Sequence, residues 1–421
     1  MRQLCWTPAT LCGLRPAPAH PLICAIPASM PNIPTRWRML LVLFLARTAM
    51  ACQFQSVPSV GPFLINDLGI SFAELGTLIG LYMLPGIVVA LPGGMLARAW
   101  GTERMVLTGF ALMAVGGALM GSDQGLMVFA GRLISGLGAV FVNVLMTKMV
   151  TDWFADRDIV PAMAVFVSSW PLGLALGLLT FPPLAARSGT AAVMLLTAGI
   201  VVICLAMVAL VYRPPADVPV ERGGSLQIVL SRREWVLISL AGLTWGSFNA
   251  GYVILVSFLP DLFALRGYSL AAASRMVSLL AWAVIVMVPL AGYFAERVRR
   301  PNLLMIGGFV IVAAATAALP IVATPAIPFA VILIVIAVPA GLIMSLTAEA
   351  MRAENRSTGM GVFYTWHFAA MAVWPALAGS ARDVAHSAAA PILVAAVTMV
   401  LSALALAGFR LAQHRVAGAK P

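Results

Sequence analysis

Long apolar runs divided by short polar ones set the rhythm of this chain. At about 20 apolar residues per membrane crossing, the pattern predicts twelve spans within 421 residues. Six come first: Met39–Val60, Leu75–Leu96, Met105–Met120, Leu126–Met149, Pro161–Leu179 and Ala191–Val211. Six follow: Val236–Leu259, Ser274–Phe294, Leu303–Val322, Ile327–Ala348, Gly359–Leu377 and Pro391–Leu411. A soluble two-domain protein would show shorter, periodic runs. The longest internal polar stretch, RPPADVPVERGGSLQIVLSRRE, falls between the two sets and reads as their linker.

An even number of spans puts both termini on one face, and the basic residues assign that face. Of 26 lysines and arginines, Arg2 and Arg15 lie in the amino-terminal tail and Arg47 and Arg132 inside spans. Only Arg187, Arg266, Arg275 and Arg382 fall on the face opposite the termini, which leaves eighteen on the terminal face. That bias predicts a multi-pass inner-membrane protein with both termini cytoplasmic. The domain plan expected is a disordered tail at 1–35, a first half at 36–212, a cytoplasmic linker at 213–234, a second half at 235–411 and a cytoplasmic tail at 412–421. The proline-rich tail makes a poor cleaved signal, and Met30 offers a later start.

Composition agrees: 62% of residues are hydrophobic, 10% are charged, and the mean hydropathy is +0.99, whereas soluble domains carry about 25% charged residues. A net charge of +11 could suggest nucleic acid, but the basic residues punctuate short loops instead of forming a patch interleaved with aromatics. Five cysteines without Cys-x-x-Cys spacing read as free thiols.

The chain also repeats itself. PGGMLARAWG resembles PLAGYFAERV, and Gly94 set on Gly292 gives an offset of 292 − 94 = 198. The same offset pairs Pro62 with Pro260, Gly69 with Gly267, Ser71 with Ser269 and Leu81 with Leu279. The fold class predicted is therefore an all-α membrane protein: twelve transmembrane helices in two pseudo-symmetric six-helix bundles.

Two motifs carry a resemblance to the major facilitator superfamily over roughly residues 36–411. The loop GMLARAWGTER is similar to the family's Gly-x-Leu-Ala-Asp-Arg-x-Gly-Arg-Lys through Gly94, Leu96, Ala97 and Gly101, but Arg98 replaces the aspartate. Its repeat mate keeps the acid as Glu296, followed by Arg297. FAGRLISGLGAV on the fourth span is similar to the family's Arg-x-x-x-Gly-x-Gly through Arg132, Gly136 and Gly138. The arginine and prolines of RTAMACQFQSVPSVGP, with NRSTGMGVFYTWHFAAMAVWP on the eleventh span, loosely resemble the cyanate and small-anion branch. The resemblance implies a carrier driven by gradients or exchange, and a lock in which Arg98 meets Glu349 or Glu354 while Glu296 meets Arg157 or Lys148.

Arg47 is the residue that chemistry singles out. It lies nine residues beyond Arg38 (47 − 38 = 9), about 13 Å into a core about 30 Å thick, too deep to snorkel easily. No acidic residue lies deep in any span, so a substrate anion is the expected partner, with a structural anchor as the plainer alternative. Gln55 shares a helix face with Arg47; Arg132 and Asn143 form a stripe on the fourth span, with a structural role for Arg132 the alternative. Offset 198 places Trp245 opposite Arg47, with Asn249 and Tyr252 on its face, a ligand wall or simple core packing. His367, near mid-membrane, is a proton-relay candidate or a satisfied structural histidine.

No metal spacing, nucleotide loop or deep carboxylate pair supports catalysis, so no enzyme, cofactor or metal is expected. The partners expected are a small, anionic substrate and the lipid bilayer, with no nucleic acid, and the chain is expected to act as a monomer. Two other functions are weighed: an exporter of drugs or hydrophobic compounds, which would want an acid in its cavity, and a membrane sensor, for which the loops leave no output domain.

Overall fold

A computed structural model describes residues 34–90, 100–154, 157–215, 230–298, 300–352 and 355–417. The expectations placed on the tail to residue 33, on most of the linker, and on Gly94, Arg98, Glu354 and the Glu296 side chain lie outside the described residues.

The regular elements among the described residues are helical. They are α1 Thr35–Ser59, α2 Gly61–Leu68, α3 Phe72–Leu81, α4 Pro85–Val89, α5 Thr102–Leu119, α6 Gly125–Phe154, α7 Ile159–Val211, α8 Arg232–Ala264, α9 Leu270–Val298, α10 Pro301–Ala318, α11 Ala326–Val335, α12 Ala337–Ile343, α13 Ser345–Ala350, α14 Arg356–Ala385 and α15 Ala389–Ala417. Nine stretches among them are long and apolar enough to cross a membrane. The 53-residue α7 is two crossings, because Gly189 breaks it with φ 80° and ψ 169°. With α5 and α14 the parse reaches the twelve spans read from the sequence, α3 with α4 forming the second and α11 to α13 the tenth.

The repeat is visible in the turns that follow the first and seventh spans. Gly69 and Gly267, 198 apart in sequence, both adopt positive φ, 64° and 93°, where a side chain would be strained. Two residues on, Ser71 and Ser269 both cap the next helix: Ser71 Oγ accepts from Glu74 N at 3.1 Å and Ser269 Oγ from Ala272 N at 3.3 Å. Glu74 returns the bond to Ser71 N at 2.8 Å, completing a capping box.

Helices within residues 35–211 pack mainly on one another, α1 along α7 and α5 along α6, as do those within 232–417, where α8 lies along α14 and α15. The two groups meet along α3 and α4 against α14, and along α7 against α9. The α3–α14 contact is a backbone approach: a Cβ on Gly76 would overlap the Pro375 carbonyl, and one on Gly80 the Ala372 carbonyl. Without a hydrophobic drive between helices in lipid, such small-residue seams are what holds them. Gly80→Leu should therefore lower thermal stability by at least the roughly 1–3 kcal/mol of ordinary overpacking. Gly199→Leu, at a position with no neighbouring atom within 4 Å, should leave the melting temperature of the detergent-purified protein nearly unchanged.

Candidate functional site

Three residues fall at one level of the bundle. Arg47 is twelve residues into α1 (47 − 35 = 12), Trp245 thirteen into α8 (245 − 232 = 13) and His367 eleven into α14 (367 − 356 = 11), so each lies about 17–20 Å from the same face. The Arg47 side chain is half-buried. Its Nε donates to Asn143 Oδ1 at 3.2 Å and its Nη1 to the Phe166 carbonyl at 3.1 Å, with the Phe166 ring centroid 4.7 Å from the guanidinium carbon. No ion pair to Arg47 is present among the described residues. From the other helix group, Tyr364 on α14 stands close enough for mutual electrostatic interaction with Arg47.

Behind Tyr364 the facing wall is aromatic. Tyr364 and His367 rings are 6.1 Å apart, His367 and Trp245 6.2 Å, and His367 and Phe368 5.3 Å. Trp245, Tyr364 and His367 are half-buried, whereas Phe368 is buried. The amide of Asn249 donates to the Trp245 carbonyl of its own helix at 2.8 Å. Tyr252 is buried, and neither its hydroxyl nor His367 Nδ1 has a hydrogen-bond partner among the described residues.

Arg132 departs from its expected place beside a ligand. It is fully buried, and it donates from Nε to the Leu78 carbonyl at 2.9 Å, from Nη1 to Gln53 O at 3.0 Å and from Nη2 to Phe54 O at 2.8 Å. The rings of Tyr82 and Phe54 cover it, at 4.5 and 5.4 Å. Two of these carbonyls are orphans of the helices themselves. Pro58 inside α1 has no N–H for Phe54, and Leu78 lies in the last turn of α3, whose carbonyls the helix leaves without donors. Arg132 thus ties α6 to α1 and α3 and leaves Asn143 to Arg47. The motif glycines serve the same seam: a Cβ on Gly136 would strike the Tyr82 backbone, and one on Gly138 the Gly109 carbonyl.

Gln55 also departs from Arg47. It is fully buried, donates to Ser59 Oγ at 3.1 Å and packs its stem on Gly177 of α7. Gly101 precedes α5 with φ 90°, Gly292 is exposed, and Arg297 lies over the Tyr293 ring at 4.5 Å. Two of the expected lock partners, Glu349 and Lys148, are engaged elsewhere. Glu349 pairs with Arg410 and accepts from Gln413, and Lys148 pairs with Asp152 at 2.8 Å in its own helix.

A clasp not read from the sequence joins the groups at the end away from the termini. Asp383 on α14 accepts from Phe72 N at 3.1 Å and Ala73 N at 2.7 Å, capping α3. Its neighbour Arg382 lies over the Phe72 ring at 4.6 Å and reaches Asp261 on α8 at 3.3 Å. An acid just past the end of a span was the available signal. Tyr364 had one too, lying three residues before His367 and four before Phe368 on one helix face.

The family model described as Major Facilitator Superfamily matches residues 39–375. The chain is 24% identical over 208 residues to the human choline/ethanolamine transporter FLVCR2, covering 47% of this chain and 40% of that protein. It is 22% identical over 366 residues to the uncharacterized transporter YycB of Bacillus subtilis, covering 82% and 87%. Among solved structures it resembles an inward-facing, occupied bacterial homolog of the human lysosomal transporter Spinster, with TM-score 0.71, 15% identity and coverage of 91% and 98%. The nucleoside transporter NupG gives TM-score 0.68 at 13% identity, covering 89% and 99%. These last likenesses concern the fold.

Replacing Arg132 tests its assignment as a structural tie. Arg132→Met should strand two buried carbonyls, those of Phe54 and Leu78, at about 1–3 kcal/mol each, while the Gln53 carbonyl keeps its bond from Ser56 Oγ, so the variant is expected to lose folded, monodisperse protein on size-exclusion chromatography. A well-folded variant defective only in ligand binding would contradict the assignment.

Proposed function

The chain belongs to the major facilitator superfamily, and on that footing we propose that it is a secondary transporter carrying a small organic anion by alternating access, with Arg47 as the anion's counter-charge. The observation that carries the reading is Arg47 itself: a half-buried guanidinium at mid-depth, held by a neutral amide and a carbonyl, with no ion pair among the described residues. A cation there is destabilised by several kcal/mol unless water or an anion compensates it. Arginine suits carboxylates through its planar fork. The loose likeness of the first and eleventh spans to the small-anion branch points the same way.

A cationic substrate is the second reading, favoured by the aromatic wall, since tryptophan and tyrosine faces attract ammonium groups. The human relative is named for choline and ethanolamine transport. Against it stands the guanidinium facing Tyr364, which would repel such a ligand. An exporter of hydrophobic compounds would have no use for that charge. His367 fits the substrate wall better than a proton relay, because its neighbours are rings rather than groups that exchange protons.

By the basic-residue bias, the terminal-bearing face is cytoplasmic. On this reading the Asp383 clasp joins the groups at the outer face. Loss of the clasp should favour outer opening. A carboxylate at a helix N-terminus contributes about 0.3–1 kcal/mol, so Asp383→Ala should raise thiol labelling from outside at Thr77→Cys by about twofold to fivefold. An unchanged labelling rate would remove the clasp from the gating scheme.

For the site, Arg47→Ala should abolish anion uptake into proteoliposomes while insertion and melting temperature stay near those of the parent. Arg47→Lys should recover little, because an ammonium offers no bidentate fork. Full transport by the alanine variant would overturn the anion reading.

A further inference from the structure

Resting on that reading, we propose that the carried anion is a monocarboxylate with a flat aromatic body, its carboxylate on Arg47 and its ring against Trp245, Tyr364 and His367. The charge limit comes first. A guanidinium has five N–H groups, and Arg47 spends two of them, Nε on Asn143 and one on Phe166. The Nε edge is occupied, so a carboxylate can approach only end-on, toward the remaining donors of Nη1 and Nη2. One anionic group is all that this arrangement neutralises. The other deep cation, Arg132, is fully buried and committed to three carbonyls, so a second carboxylate would find no counter-charge there.

The facing wall sets the body of the ligand. Trp245, Tyr364 and His367 come from two helices, lie at the level of Arg47 and are half-buried at a depth where core residues are sealed. At about 6 Å between centroids these rings pack on one another into one aromatic surface, against which a further ring can stack or pack edge-on. A small inorganic anion would leave the rings untouched.

Titration of the full-length protein in nanodiscs, with melting temperature as a second readout, separates this inference from the reading beneath it. Probes are benzoate, cyclohexanecarboxylate, acetate, terephthalate and choline. Benzoate is expected to bind at least about tenfold more tightly than cyclohexanecarboxylate or acetate, and more tightly than terephthalate. Trp245→Leu should erase most of that preference, and Trp245→Phe should keep it within about threefold, while both variants retain binding that Arg47→Ala abolishes. Equal affinity for all three monocarboxylates, still lost in Arg47→Ala, would overturn the aromatic inference and leave the anion reading intact. Terephthalate binding as tightly as benzoate would overturn the single-charge limit. No carboxylate binding at all, carboxylate binding that survives Arg47→Ala, or choline as the sole ligand would overturn the anion reading as well.

Discussion

The amino-terminal bundle depends on one side chain meeting three carbonyls. Pro58 interrupts the ladder of α1 and α3 ends inside the bundle, and these leave the Phe54 and Leu78 carbonyls without a donor from their own helix. Arg132 supplies the missing donors from α6 to Phe54 and Leu78 and adds a further one to Gln53. A guanidinium does this better than an ammonium, because its rigid fork reaches three acceptors on two helices at once. The charge is tolerated because the partners are dipoles in fixed positions and two aromatic faces close over it. Gly136 and Gly138 then bring α6 close enough for the fork to reach.

That commitment gives the second deep arginine its meaning. Arg132 and Arg47 share a chemistry, yet the first is sealed and the second is half-buried and keeps N–H groups without a partner among the described residues. The difference lies in what surrounds them: released carbonyls at Arg132, and a single amide and carbonyl at Arg47. Structure and recognition are thus divided between two copies of the same residue type.

Much of the fold was legible because lipid permits so few solutions. Run length gave the twelve spans, and the offset of 198 found Gly69 with Gly267 and Ser71 with Ser269, which share backbone conformation and capping role. The site was less legible. Helical spacing tells which face a residue occupies but not which neighbour that face meets, so Gln55 was grouped with Arg47 although it packs on Gly177. Arg132 could be given either a structural or a ligand role but not its partners, because these are backbone atoms on other helices, one of them released by Pro58, that the motif itself does not contain. Tyr364 could have been found by spacing from His367. Asp383 could not be given a role until α14 was seen beside the start of α3.

The proposed reading assigns the energetics of the cycle to the substrate. At the outer end the groups are joined by glycine seams and a capped helix start, and the cap contributes only about 0.3–1 kcal/mol. At mid-depth, sealing an unneutralised Arg47 between the groups would cost several kcal/mol, since its neutral partners offset only part of the lost hydration. The second quantity exceeds the first. The barrier to alternation is therefore set less by the clasp than by the bare charge, and a bound carboxylate, by making the pair neutral, lowers that barrier where no residue of the chain does. A carrier built this way moves its groups past one another readily when loaded and reluctantly when empty, so the coupling between substrate and motion resides in Arg47.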